Sequence, residues 1–264
     1  MNKVLAIALI TIKEEVRNRV VYLLLMIAFF LLFLARGCAS GKITMKKGIL
    51  LSPEQLMTAG IIVTFNMILL WGLSLCGLLA MNTLSRELTE ETIVLTVTKP
   101  IKRSYVLVGK FLGIFSMVFL NLMLVSIGFF LLLYFRSGVV KPSIFSGLLV
   151  ASLNFISIIS FIFLFSLCLP RVISGLLSLT IYILSLGLGI IFSFEKIRAY
   201  WEPSFSTQVL YYVLPQLGRV HLYACSFLSS IFPSSKGWWP VVDVVGYSFV
   251  VWLVMICIFQ KKSL

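Results

Sequence analysis

The stretch that decides the fold runs from residue 144 to 193: IFSGLLVASLNFISIISFIFLFSLCLPRVISGLLSLTIYILSLGLGIIFS. Its single charge is Arg171, directly after Pro170. Each side of that pair is a run near the ~20 residues an α-helix needs to cross a bilayer core. Neither run alternates apolar and polar residues, as the ~10-residue strands of a membrane β-barrel do. The stretch therefore reads as two transmembrane helices, about 144–168 and 172–193, joined by a very short turn.

The same pattern recurs along the chain. Further charge-free cores lie at about 20–36, 59–82, 107–134 and 241–259. Together they predict an all-α integral membrane protein with six transmembrane helices in one domain, 1–264. Composition agrees: 60% of residues are hydrophobic and 12% charged, against roughly 45–50% and about 25% in soluble chains. Tyr22, Tyr105, Tyr134, Trp238 and Trp239 fall near the span ends, where amphipathic rings favour the head-group layer.

Ahead of the first span, Leu5, Leu9, Ile12, Val16 and Val20 recur at spacings of three and four. Lys3, Lys13, Glu14 and Arg17 fall elsewhere on the wheel. Residues 1–19 thus read as an amphipathic helix in the interface plane. The net charge of +13 is scattered through short connections, which suits membrane lipids with anionic head groups rather than nucleic acid. With both termini on one side, 12 basic residues fall on that side and 10 on the other, a weak vote for cytoplasmic termini.

Chemistry is sparse. No Gly-x-x-x-x-Gly-Lys-Ser/Thr loop is present. The five cysteines show no metal or redox spacing, and His221 with Cys225 supplies two ligands, too few for a closed metal site. Acids are nearly absent from the spans, Asp243 lying near a span end, so no proton relay is visible. The sequence therefore predicts no catalytic, cofactor or metal site. Asn66, Asn121 and Asn154 read mainly as helix–helix hydrogen-bonding groups. Ser174, Ser178, Ser185 and Gly189 form a small-residue stripe that reads as packing, with a substrate-facing stripe as the alternative; Asn66, Ser74, Ser178 and Ser185 are the candidate path residues.

Two connections stand out. Segment 194–240 carries Tyr211, Tyr212, Leu214, Leu217, Leu222 and Phe227, and reads as either a re-entrant hairpin broken at Pro215 or a surface-lying helix. Segment 83–106 is charged: Arg86, Glu87, Glu90 and Glu91 open it, Lys99-Pro100 breaks it, and Lys102 and Arg103 lead into the third span.

The order Ser85-Arg86-Glu87-Leu88-Thr89-Glu90-Glu91-Thr92, Thr98-Lys99-Pro100-Ile101-Lys102-Arg103 and Gly109-Lys110-Phe111-Leu112-Gly113 resembles the type-2 ABC exporter permeases, in the subgroup that includes copper-enzyme maturation permeases. Glu91 departs from that pattern, standing where a Gly usually precedes the Thr. The resemblance implies cytoplasmic termini in a bacterial inner membrane and a coupling helix within 84–104, with Arg86, Glu87, Glu90, Glu91, Thr92, Lys99, Pro100 and Arg103 at the ATPase interface. It implies two ABC ATPase subunits that bind ATP and Mg, so this chain is not itself the enzyme. It also implies a second permease copy or paralogue, a path lined by the second and fifth spans, and an extracytoplasmic cap formed by 198–232 within the segment 194–240. An extracytoplasmic accessory protein is a further candidate partner. The alternatives are a membrane scaffold that passes ATPase motion to such a partner without transport, and an intramembrane lipid-modifying enzyme.

Overall fold

The computed structural model describes residues 3–17, 21–22, 25–30, 53–89, 103–137, 142–194, 204–229 and 238–261. Among them the regular elements are helices: α1 (Lys3–Arg17), α2 (Pro53–Thr89), α3 (Arg103–Ser137), α4 (Ser143–Ser166), α5 (Arg171–Ser193), α6 (Phe205–Val213), α7 (Leu217–Ser226) and α8 (Trp239–Lys261). Backbone at 21–22 and 25–30 is also helical. Five helices contain segments long and apolar enough to cross a membrane: Thr58–Thr83, Ser104–Phe135, Ser143–Ser166, Arg171–Ser193 and Trp239–Phe259. The chain is thus an all-α multi-pass membrane protein, and five of the six expected spans correspond to these helices, 144–168 passing the end of its helix by two residues. The remaining expected span, 20–36, falls mostly outside the described residues.

The turn that decided the fold forms as its residues dictate. Cys168 and Leu169 donate their N–H groups to the Phe165 carbonyl at 3.0 and 2.7 Å, closing α4. Pro170 is extended at ψ 150° and has no N–H, so α4 cannot continue through it. Its carbonyl accepts from Ser174 at 3.0 Å and starts α5. A hydroxyl pair, Ser166 Oγ and Ser174 Oγ at 3.1 Å, joins the two helices beside the turn.

Helix α4 is the centre of the molecule. It packs against α2, α3, α5, α7 and α8, and 67% of its most apolar window is buried, against 17% for α5 and 22% for α8. Its small polar residues suit that place. Ser152 and Ser160 donate to carbonyls on their own helix, while Ser157 pairs with Ser248 of α8 at 2.6 Å. Small side chains let neighbouring backbones approach, and in lipid close packing replaces the hydrophobic effect as the driving force.

The helices alternate in direction. A Cβ on Gly72 of α2 would meet Leu122 of α3 at 2.7 Å and Phe155 of α4 at 3.0 Å, while one on Gly147 of α4 would lie 3.4 Å from Phe65 of α2. Helices α2 and α4 therefore run the same way. Edge-on Phe111–Phe163 and tilted Phe130–Phe145 contacts set α3 antiparallel to α4. The bundle thus has two distinct ends. At one, α2 finishes and α3 begins; at the other, α4 and α8 begin, α5 finishes, and α6 and α7 are inserted.

Candidate functional sites at the two ends of the bundle

At the first end, α2 and α3 are long. They have 37 and 35 residues, about 55 and 52 Å at 1.5 Å per residue, against a hydrocarbon core of about 30 Å. The apolar window of α2 closes at Thr83, yet the helix continues to Thr89. Arg86 and Glu87 therefore sit on its last turns, and Arg103 opens α3. Glu90, Glu91, Thr92, Lys99 and Pro100 lie outside the described residues.

Helix α1 grips this end. A Cβ on Gly109 would lie 2.7 Å from Ile7 Cβ and 3.0 Å from the Val4 carbonyl; one on Gly113 would lie 2.8 Å from Thr11 Cβ and 3.0 Å from the Ala8 carbonyl. Two glycines one turn apart let α1 approach α3 nearly backbone to backbone. The contacts advance in step along both helices, so α1 runs alongside α3 in the same sense. The gripping face is Val4, Ile7, Ala8, Thr11 and Glu15. The Leu5–Leu9–Val16 stripe, expected to lie in the membrane interface, is exposed and free to meet lipid. Glu15 is 8% exposed and accepts a hydrogen bond from Thr83 Oγ1 of α2 at 3.1 Å. One helix thus touches both long helices where they approach the charged connection. Lys110, 6% exposed, is buried at the same end.

At the other end, Leu214-Pro215-Gln216 interrupts α6 and α7. Helix α7 is embedded among α4, α5 and α8, with Leu217, Val220 and Ala224 fully buried. Two backbone approaches set its depth. A Cβ on Gly147 would lie 2.9 Å from the Ala224 carbonyl, and one on Gly189 would lie 2.6 Å from Gly218 Cα. Within 194–240, α7 therefore packs between the long helices.

Side chains satisfy the groups that the break frees. Ser185 Oγ donates to the Pro215 carbonyl and accepts from Leu217 N–H at 3.3 Å. Asn154 Nδ2 donates to the Leu217 carbonyl at 3.3 Å, and Asp243 Oδ2 accepts from Gln216 N–H at 3.2 Å. Arg219 Nη1 donates to Gln216 Oε1 at 2.9 Å, and its guanidinium lies 5.1 Å from the centre of the Tyr211 ring. Tyr211 in turn stacks on Phe192 at 4.2 Å. Sequence reasoning did not single out Arg219 or Gln216. The one available signal was Arg219 lying four residues after Pro215 within an apolar segment.

The four expected path residues stand in different surroundings. Ser178 is buried and donates to the Ser174 carbonyl, while Ser185 is buried at the break. Asn66 and Ser74 bond the Ile62 and Leu70 carbonyls of their own helix, and Ser74 is exposed. Of the three asparagines, Asn154 bonds across helices; Asn121 is buried, with no hydrogen-bond partner for its Oδ1 among the described residues. Burial pushes the His221 pKa below its ordinary value and favours the neutral ring. Cys225 Sγ lies 3.8 Å from His221 Nε2, and among the described residues no group of three His, Cys, Asp or Glu side chains could hold a metal.

No protein-family model matches the chain. No curated protein matches it either.

Proposed function

We propose that the protein is the membrane-spanning permease subunit of an ATP-driven ABC exporter, powered by a separate ATPase. The observation that supports this reading most is the end of the bundle where α2 and α3 approach each other. Two helices longer than the bilayer converge there on a charged connection, and α1 holds them through Gly109, Gly113 and the Glu15–Thr83 hydrogen bond. A force applied to that connection is carried along stiff helices to Gly72, Leu122 and Phe155 in the interior.

In this reading residues 20–36 supply the sixth span, and both termini lie in the cytoplasm of a bacterium. The connection docks two ATPase subunits through Arg86, Glu87, Glu90, Glu91, Thr92, Lys99, Pro100 and Arg103. Two copies of the permease, or a copy and a paralogue, enclose the path. ATP and Mg belong to the partner. The inserted helices α6 and α7 form the extracytoplasmic cap.

The test is purification of the tagged full chain from its own membranes in mild detergent. An ATPase subunit in equal amount is expected, with ATP hydrolysis in the eluate. Joint Glu87→Ala and Arg103→Ala replacement should remove both while the chain still inserts in the membrane. Thr83→Val, which loses the bond to Glu15, should keep the ATPase bound and weaken stimulation of hydrolysis several-fold. A chain that purifies intact with no ATPase, or a double variant that holds it as well as wild type, overturns the reading.

A further inference from the structure

Arg219 and Asp243 are opposite charges held near one bundle end, and neither forms an ion pair with a described residue. Their depth can be read from the surrounding helices. Gly189, which abuts Gly218, lies four residues before the end of α5 at Ser193. Asp243 lies four residues after the start of α8 at Trp239. Each offset is about 6 Å along a helix. Trp238 and Trp239 are 70% and 71% exposed there, as indole rings are in the head-group layer. The Arg219 guanidinium reaches back toward that layer, over Tyr211 and so toward Phe192, the penultimate residue of α5. Both charges therefore sit about one helical turn inside that layer.

Gln216 ties them together. Its side-chain oxygen takes one guanidinium N–H and its backbone N–H goes to one carboxylate oxygen. The remaining guanidinium donors form a planar fork suited to a phosphate. The second carboxylate oxygen suits a primary ammonium. An anionic lipid would satisfy Arg219 and be repelled by Asp243; a simple cation would do the reverse. A charge inside a membrane protein is costly without a partner and marks a substrate or ion site, and one molecule carrying both charges satisfies the pair.

We propose that Arg219, Gln216 and Asp243 form a binding site for the head group of a zwitterionic phospholipid, with its phosphate on Arg219 and its primary ammonium on Asp243. The site stands apart from the ATPase reading, because lipid retention is measurable on the chain alone.

Native mass spectrometry of the full chain released from detergent tests it. Phosphatidylethanolamine and phosphatidylglycerol with identical acyl chains are titrated in parallel. The wild-type chain should retain the ethanolamine lipid about tenfold better, the factor expected for one charge-assisted hydrogen bond. Asp243→Asn should cut that preference below about twofold. Arg219→Gln should weaken both lipids, and Arg219→Lys should keep the preference. Unfolding temperatures in detergent identify any variant that has lost its fold, and the wild-type comparison needs no variant. Soluble phosphoethanolamine at equal concentration should leave the lipid bound. Equal retention of the two lipids, a preference that survives Asp243→Asn, or displacement by the soluble head group overturns the proposal.

Discussion

The two ends of this bundle solve opposite problems with the same small residues. Where α2 and α3 approach, glycines serve continuity: Gly109 and Gly113 bring α1 against an unbroken α3, and the helices extend past the bilayer thickness. At the α6–α7 end, glycines serve interruption. Gly189 meets Gly218 so that a short, broken segment fits inside the bundle, and polar side chains replace the backbone bonds that the break removes. In lipid no water completes those bonds, so an interruption must be satisfied by protein. The comparison teaches that the first end is braced by close backbone packing, and that the second holds polar side chains inside the bundle.

The largest expected effect separates tight from open glycines. Gly189→Leu places a side chain where the Gly218 backbone lies. That overpacking costs about 3 kcal/mol or more, because backbone on both sides must shift. Gly187, two residues away, has nothing within 4 Å of the position of a Cβ, so Gly187→Leu should stay within about 0.5 kcal/mol. Reversible unfolding in mixed micelles reads both. If the two variants unfold alike, α7 does not seat against α5.

Ser185→Ala should come next. Its hydroxyl serves two backbone groups at the break, and its loss should cost about 1.5 kcal/mol. The cost should be local, seen as faster hydrogen exchange at Leu217, whose N–H donates to the Pro215 carbonyl at 2.7 Å and reaches that hydroxyl at 3.3 Å. Exchange at Gly109 and Gly113, at the other end, should not change. Equal acceleration at both ends would show that the break is not pinned separately.

What the sequence made legible divides along the same line. The five described spans and the turn at Pro170 follow from apolar run length and Pro170, which are local properties, so α4 and α5 begin and end within two residues of expectation. Helices α2 and α3 run further than their apolar windows, because the charged turns beyond Thr83 have good helix propensity and need no lipid. The gripping face of α1 was not legible. Large aliphatics dominate a helical wheel, yet closeness is set by Gly109 meeting Ile7 and the Val4 carbonyl and by Gly113 meeting Thr11 and the Ala8 carbonyl, about 100 residues away. Likewise Ser185 read as a member of a stripe, and only its neighbour, the Pro215 carbonyl, gives it a specific role. Such partners are set by tertiary approach, which a single chain does not spell out.

The smallest effect tests the helix that links the ends. Ser157 of α4 and Ser248 of α8 share a buried hydroxyl contact at 2.6 Å, and Ser248 also donates to the Val244 carbonyl of its own helix at 2.7 Å. Interhelical hydrogen bonds in membrane proteins average about 0.6 kcal/mol, since the unfolded chain in lipid finds other partners. A double-mutant cycle of Ser157→Ala and Ser248→Ala should therefore give a coupling near that value. The sign is set by geometry: with Ser248 donating to Val244, Ser157 must be the donor in the pair. Ser157→Ala then removes a donor and leaves Ser248 its own bond, whereas Ser248→Ala strands the Ser157 hydroxyl beside an apolar methyl. Ser248→Ala should thus cost more than Ser157→Ala. The reverse order would mean that Ser248 turns its proton toward α4, and that α8 is held to the hub by Ser248 as donor.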